Sequence, residues 1–126
     1  MYKVAHIGLV VQDAERSSLF YQQVLNCEVV NSYQDERVKL IFLDSGGQII
    51  ELVQRLQEIT ADNRPAGVVD HIAFAVEDAF AEMARLQAAG VTLLSDTPRS
   101  LGEKNMKNFF FLGPDGERLE FMEGTL

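Results

Sequence analysis

HIGLVVQDA, residues 6–14, recurs 65 residues later as HIAFAVEDA, residues 71–79. A second match, at an offset of 69, aligns IIELV at Ile49–Val53 with RLEFM at Arg118–Met122. Self-similarity at a fixed offset indicates that one supersecondary unit occurs twice in the chain. The 126 residues are therefore expected to form one domain made of two repeats.

Each repeat is predicted to contain a strand, a helix and three further strands. Asp13 and Asp78 follow the first strand of their repeats and are good helix N-caps, while Asn26 and Gly90 suit the helix ends. In the first repeat the strands are predicted at Lys3–Val11, Glu28–Gln34, Arg37–Leu43 and Gln48–Gln54. In the second repeat, a first strand that includes Val69, His71, Ala73 and Ala75 is followed by strands at Val91–Ser95, Met106–Leu112 and Glu117–Glu123. We predict an α+β fold with two βαβββ repeats, at about 1–54 and 68–126, joined by a polar linker at about 55–67.

A small sheet with a helix on one face must cover its other face. We therefore expect a curved mixed sheet around a site, with the helices outside. The helix residues that recur at helical spacing, and so predict the packed faces, are Phe20, Val24 and Leu25, and Phe80, Met83 and Leu86. In Phe109–Phe111, core packing is favoured over an aromatic ligand clamp.

Charge and composition exclude several classes of partner. The net charge of -8 argues against a nucleic-acid backbone and against an anionic membrane, although acidity most often reflects solubility alone. No apolar run approaches the ~20 residues that span a bilayer, and we recognise no signal peptide. With Cys27 as the single cysteine, we expect a cytoplasmic protein whose partner is a small molecule or another protein.

The two histidines of the chain occupy one matched position, and two glutamates occupy another. In chain order these residues are His6, Glu51, His71 and Glu120. Strand alternation places each of them on a face with mostly small or apolar neighbours, where an unpaired carboxylate is costly to bury. A lone strand histidine is usually a core or surface residue. Four such residues at symmetric positions favour a divalent metal site over coincidence.

Two segments carry a resemblance to a known family: VDHIAFAVED at Val69–Asp78 and GPDGERLEF at Gly113–Phe121. With the matched His and Glu positions, the chain resembles the vicinal-oxygen-chelate superfamily over nearly its whole length. Glyoxalase I, or lactoylglutathione lyase, has the ligand order His, Glu, His, Glu found here. The epimerases carry Gln at the second position, the dioxygenases and fosfomycin-resistance proteins use three ligands, and bleomycin-resistance proteins have no such set.

The resemblance implies a metal-dependent isomerase or lyase. The ion, which could be Ni, Co, Zn, Mn or Fe, would stabilise an enediolate, with the hemithioacetal of methylglyoxal and a thiol as the model substrate. A glutamate would carry the proton, with Glu120 the first choice and Glu51 the second. We expect a homodimer, as is common in the family, although spacing alone leaves open whether each site forms within one chain or between two.

The resemblance to glyoxalase I departs at groups that bind glutathione. Val10 stands where an Arg is typical, and Arg55 stands where an Asn is typical. The candidate cations for an acidic substrate are Arg55, Arg99, Lys104 and Lys107. For the last three, a solvated loop is the favoured interpretation. An epimerase of another carbonyl compound and a non-enzymatic binding or resistance protein remain the alternatives, and a three-ligand dioxygenase fits least because it does not need Glu51.

Overall fold

A computed structural model describes residues 1–57, 64–102, 105–114 and 116–124. The chain packs as two compact units, His6–Asp70, and Met1–Ala5 together with His71–Leu126. The order of elements is βαβββ followed by βαβββ, which confirms the predicted α+β class with two repeats. No helix in this described part is both long and apolar enough to cross a membrane.

The first repeat places its helix against one face of a mixed sheet. Its elements are β1 (Val4–Val10), α1 (Ala14–Leu25), β2 (Glu28–Gln34), β3 (Val38–Ser45) and β4 (Gln48–Arg55). The strands lie in the order β2-β3-β4-β1; β1 is parallel to β4, and the other two pairings are antiparallel. Ile41, Leu43 and Leu52 pack with Ala14 of α1 to form the core of this unit.

The second repeat has the same arrangement. Its elements are β5 (Val69–Val76), α2 (Ala79–Ala88), β6 (Arg99–Leu101), β7 (Met106–Leu112) and β8 (Arg118–Glu123). The strands lie in the order β5-β8-β7-β6, with β5 parallel to β8. Phe109, Phe111 and Phe121 form the core with Met83 and Leu86 of α2. Core packing of Phe109 and Phe111 is thereby confirmed.

The N-terminal residues pack with the second half of the chain. The Ala75 N–H donates a hydrogen bond of 2.9 Å to the Lys3 carbonyl. The Tyr2 ring stacks on Phe121 with centroids 5.2 Å apart, and its hydroxyl donates to Glu82 at 2.9 Å. The compact units are therefore offset from the repeats drawn on the sequence. Of the predicted linker at 55–67, residues 58–63 lie outside the described residues.

The predicted helix caps are confirmed. Asp13 Oδ1 accepts the Arg16 N–H at 3.0 Å, and Asp78 Oδ1 accepts the Ala81 N–H at 3.1 Å. Asn26 ends α1 in the left-handed region, at φ 57°. These caps satisfy backbone groups that a helix end leaves without intrahelical partners.

The predicted packed face of α1 is wrong. Phe20 and Val24 are 55% and 61% exposed, and Leu25 is also exposed, whereas Ala14 and Ser18 are buried. These two small side chains let the helix lie close to its sheet. In α2 the prediction holds for Met83 and Leu86, but Phe80 is exposed.

The predicted strand Val91–Ser95 is also wrong. Leu93 forms a single bridge with Phe111, and the Leu94 N–H donates to the Phe110 carbonyl, so the segment touches β7 without forming a regular strand. Pro98, which has no N–H to donate, precedes the actual edge strand β6.

Candidate metal centre

The first His–Glu pair lies on β1 and β4. In this parallel pairing His6 aligns with Ile49 and Gly8 with Glu51, so the two side chains are diagonal neighbours on one face. His6 Nε2 lies 3.4 Å from Glu51 Oε2, and the residues are only 1% and 7% exposed. Phe42, opposite Glu51 in the register, makes an edge contact with the His6 ring at 6.1 Å. This face is opposite to the one that packs on α1.

The second pair repeats the arrangement on β5 and β8. His71 Nε2 lies 3.1 Å from Glu120 Oε1, and the residues are 4% and 3% exposed. Phe110 is opposite Glu120 in the register and makes an edge contact with the His71 ring at 5.3 Å. Each unit thus presents the same triad of a buried His, a buried Glu and a Phe, away from its helix; Phe42 is buried, and Phe110 is partly buried.

The geometry of each pair fits donors that share a metal ion. Ligands of one divalent ion at about 2.0–2.2 Å lie about 3.0 Å apart at a right angle and about 3.5 Å apart at a tetrahedral angle. The pair distances, 3.4 Å and 3.1 Å, lie in this range. The longer one exceeds the usual N–H···O hydrogen-bond length. With neutral imidazoles, each pair buries one negative charge, which a cation would compensate.

The second pair has a polar neighbour that the repeat does not predict. Asn108 is buried on β7, and its Nδ2 donates to Glu120 Oε2 at 2.7 Å. Since Phe110 matches Phe42, the first-repeat residue at the position of Asn108 is Leu40. Sequence reasoning missed Asn108, although strand alternation already places it on the face of Phe110.

A second polar neighbour is Arg118. Its guanidinium carbon lies 4.6 Å from the centroid of the Phe110 ring. It stands two residues before Glu120 on β8, and alternation places both side chains on the same face. Its first-repeat counterpart is Ile49. Sequence reasoning gave Arg118 no functional role.

The candidate substrate-binding cations have different surroundings. Arg55 donates through Nη1 to the Arg64 carbonyl at 3.1 Å. Arg99 is exposed on β6 opposite Asn108 in the register, which places it on the Asn108 face. Lys107 alternates with Asn108 on β7 and lies 3.6 Å from Glu123, so it belongs to the helix-facing side. Lys104 lies outside the described residues.

Comparisons with known proteins agree with this architecture. A family model described as the Glyoxalase/Bleomycin resistance protein/Dioxygenase superfamily matches residues 3–121. An ethylmalonyl-CoA/methylmalonyl-CoA epimerase of Cereibacter sphaeroides is 32% identical over 120 residues, which cover 89% of this chain and 88% of the relative. A probable lactoylglutathione lyase of Vibrio cholerae is 27% identical, with 97% of this chain and 91% of the relative covered.

Solved structures of epimerases share this fold. A variant of the Streptomyces coelicolor methylmalonyl-CoA epimerase, in complex with 2-nitronate-propionyl-CoA, superposes with a TM-score of 0.82 at 26% identity, and 98% of each chain is covered. The family match over residues 3–121 confirms the resemblance drawn from the repeated His and Glu positions. The chain belongs to the glyoxalase/bleomycin resistance protein/dioxygenase superfamily.

Proposed function

We propose that this protein is a metal-dependent isomerase of the epimerase type, which removes and returns a proton at a carbon next to a carbonyl. The observation that carries the proposal is that each repeat has a buried His–Glu pair at an equivalent position. The His Nε2 lies 3.4 Å from the Glu carboxylate in the first pair and 3.1 Å in the second. The choice of an epimerase is supported by the 32% identity to the Cereibacter sphaeroides enzyme and by the Streptomyces coelicolor structure.

In this proposal four residues hold one divalent ion: His6, Glu51, His71 and Glu120. Two carboxylates balance the charge of the ion, and two imidazoles add softer donors, which admits Ni, Co, Zn, Mn or Fe. A cation bound there supplies Lewis-acid stabilisation of negative charge on a carbonyl oxygen. The two pairs meet either within one chain or across a homodimer, and both arrangements use the same four residues.

We assign the transfer of the proton next to the substrate carbonyl to a glutamate carboxylate. Glu120 is the first choice, because the Asn108 Nδ2 donates to its Oε2 at 2.7 Å. This hydrogen bond keeps the carboxylate oriented while Oε1 takes up and returns the substrate proton. Glu51 is the second choice. Both carboxylates are buried, so few water molecules compete with the substrate for the glutamate oxygens.

Glyoxalase I chemistry is the second candidate, and Glu51 is the observation that favours it. By resemblance, epimerases carry Gln at this position and glyoxalase I carries Glu. The 27% identity to the probable Vibrio cholerae lyase supports this reading as well. Val10 and Arg55 count against it, because they replace the Arg and Asn typical of bacterial glyoxalase I.

The test uses protein purified without chelator and reconstituted separately with Ni, Co, Zn and Mn. Metal per chain is measured first. Deuterium incorporation next to the carbonyl of methylmalonyl-CoA in heavy water is then compared with thioester formation from methylglyoxal and glutathione. Exchange without thioester formation supports the epimerase, and the reverse supports glyoxalase I. Metal binding with neither activity refutes both substrates, and absence of metal binding refutes the site.

A matched pair of variants sharpens the comparison. Glu51→Gln introduces the residue that the epimerases carry, so an epimerase retains metal and proton exchange, whereas a glyoxalase I loses activity. Glu120→Gln abolishes the activity in either case, whether that activity is proton exchange or thioester formation. Glu123→Gln on the same strand is the control, because its carboxylate caps α2 by accepting the Ala79 N–H at 2.9 Å. It should leave metal content unchanged.

A further inference from the structure

Arg118 lies on the site face of the second repeat. It precedes Glu120 by two residues on β8, so their Cα atoms are about 6.7 Å apart along the strand. The Phe110 ring is opposite Glu120 in the register and makes an edge contact with His71. Because the Arg118 guanidinium lies over this same ring at 4.6 Å, Phe110 holds a cation beside the His71–Glu120 pair.

The hydrogen-bonding capacity of Arg118 is not used up by this contact. Its Nε is buried and has no hydrogen-bond partner among the residues that the structure describes. Stacking on an aromatic ring satisfies the face of a guanidinium but none of its N–H groups, which point outward in the guanidinium plane. A buried donor without an acceptor is destabilising, and an arginine that served packing alone would not need to carry this cost.

The fold does not require a charge at this position. The first repeat has Ile49 there, beside an equivalent His–Glu–Phe triad. An apolar residue therefore meets the structural needs of this strand position. Arg118 therefore breaks the symmetry of the repeat. It puts a positive charge next to the proposed metal ligands His71 and Glu120 in a protein of net charge -8.

We propose that Arg118 binds an anionic group of the substrate, a carboxylate or a phosphate attached close to the reacting carbon. The planar fork of a guanidinium matches both anions and can bind either through two parallel hydrogen bonds. The inference rests on the proposed function and narrows its substrate to carbonyl compounds that carry such an anion. Arg118 is then a specificity-determining residue, while the four proposed ligands hold the metal.

The experiment measures anion binding instead of turnover. Malonate and inorganic phosphate are titrated calorimetrically into full-length protein of matched metal content, as the wild type, Arg118→Met, Arg118→Lys and Arg16→Met. Arg118→Met should weaken binding about 10- to 100-fold, as expected for the loss of a hydrogen bond between two charged groups. Arg118→Lys keeps the charge but loses the planar fork, so its anion affinity should lie between those of the wild type and Arg118→Met. It replaces Arg118→Met in the comparison if the methionine variant does not fold. Arg16→Met removes an exposed arginine of α1 and should bind like the wild type.

Comparing the two anions shows which anionic group of the substrate Arg118 binds. Tighter binding of malonate indicates a substrate carboxylate, and tighter binding of phosphate indicates a phosphate. Equal affinity of wild type and both Arg118 variants, at full metal content, overturns the inference and leaves the proposed function standing. Loss of metal from the wild type overturns the proposed function instead, and the same titration of the metal-free protein still decides whether Arg118 binds anions.

Discussion

Replacing Asn108 with leucine, the residue at the matched position of the first repeat, tests how Glu120 is held. Asn108 Nδ2 donates to Glu120 Oε2 at 2.7 Å, and both residues are buried. A hydrogen bond to a charged group contributes about 1.5–3 kcal/mol. At about 1.4 kcal/mol per factor of ten, its full loss lowers metal affinity about 10- to 100-fold. This range agrees with the effect of removing partners that orient a metal ligand.

The affinity of Asn108→Leu is measured by competition with a chelator, with metal per chain determined separately. Ser18→Ala is the matched control, because it removes another buried polar side chain, which Gln22 Nε2 contacts at 2.9 Å on α1. The control should lower the free energy of unfolding by about 0.5–1.5 kcal/mol without changing metal affinity. Wild-type affinity in Asn108→Leu would show that Glu120 does not depend on the amide, and the assignment of Asn108 as a positioning residue would fail.

Four further variants probe the site, the core and a turn. His6→Ala and His71→Ala should each reduce bound metal to a small fraction of one ion per chain, and unchanged metal content in either variant excludes that histidine. Phe109→Ala, at a position only 1% exposed, should lower the free energy of unfolding by about 3–5 kcal/mol in a urea titration. Hydrogen bonds from the Val38 and Arg37 backbone N–H groups lower the pKa of Asp35 below 3.8. Its charged form therefore stabilises the fold above that pH, and the stability gap between wild type and Asp35→Asn should close as the pH falls below 3.8.

Much of the fold could be predicted from the sequence because the local patterns are strong. The predicted strands Glu28–Gln34 and Met106–Leu112 match β2 and β7 at both ends. The side chains of Asp13 and Asp78 cap the helices as expected, since each accepts a backbone N–H three residues ahead. These features depend on neighbours in sequence, which a single chain displays directly.

Features set by tertiary packing could not be read in this way. Helical spacing identified Phe20 and Val24 as an apolar face, but it does not say which face meets the sheet, and small Ala14 and Ser18 do so instead. The segment Val91–Ser95 has strand-like composition, yet only one of its residues forms a bridge to β7.

The polar neighbours of the site escaped notice for another reason. The candidate ligands were found where the two repeats agree, whereas Asn108 and Arg118 stand where the repeats differ, since the first repeat has Leu40 and Ile49 at the matched positions. A residue-by-residue comparison of the site-facing strand positions would have singled them out, because both changes put a polar group at a position that is apolar in the other copy.

This asymmetry bears on how a duplicated scaffold could carry out proton transfer. Two carboxylates in the same surroundings would compete for one role, and enzymes separate such roles by giving the groups different environments. Here the duplication places a His and a Phe beside Glu51 and Glu120 at matched positions, and among the described contacts the second repeat adds the Asn108 amide on Glu120 and the Arg118 guanidinium on the Phe110 ring. The departures from the repeat therefore distinguish the two glutamates, which is why Glu51→Gln and Glu120→Gln are expected to have unequal effects on proton exchange even though the residues match in the repeat.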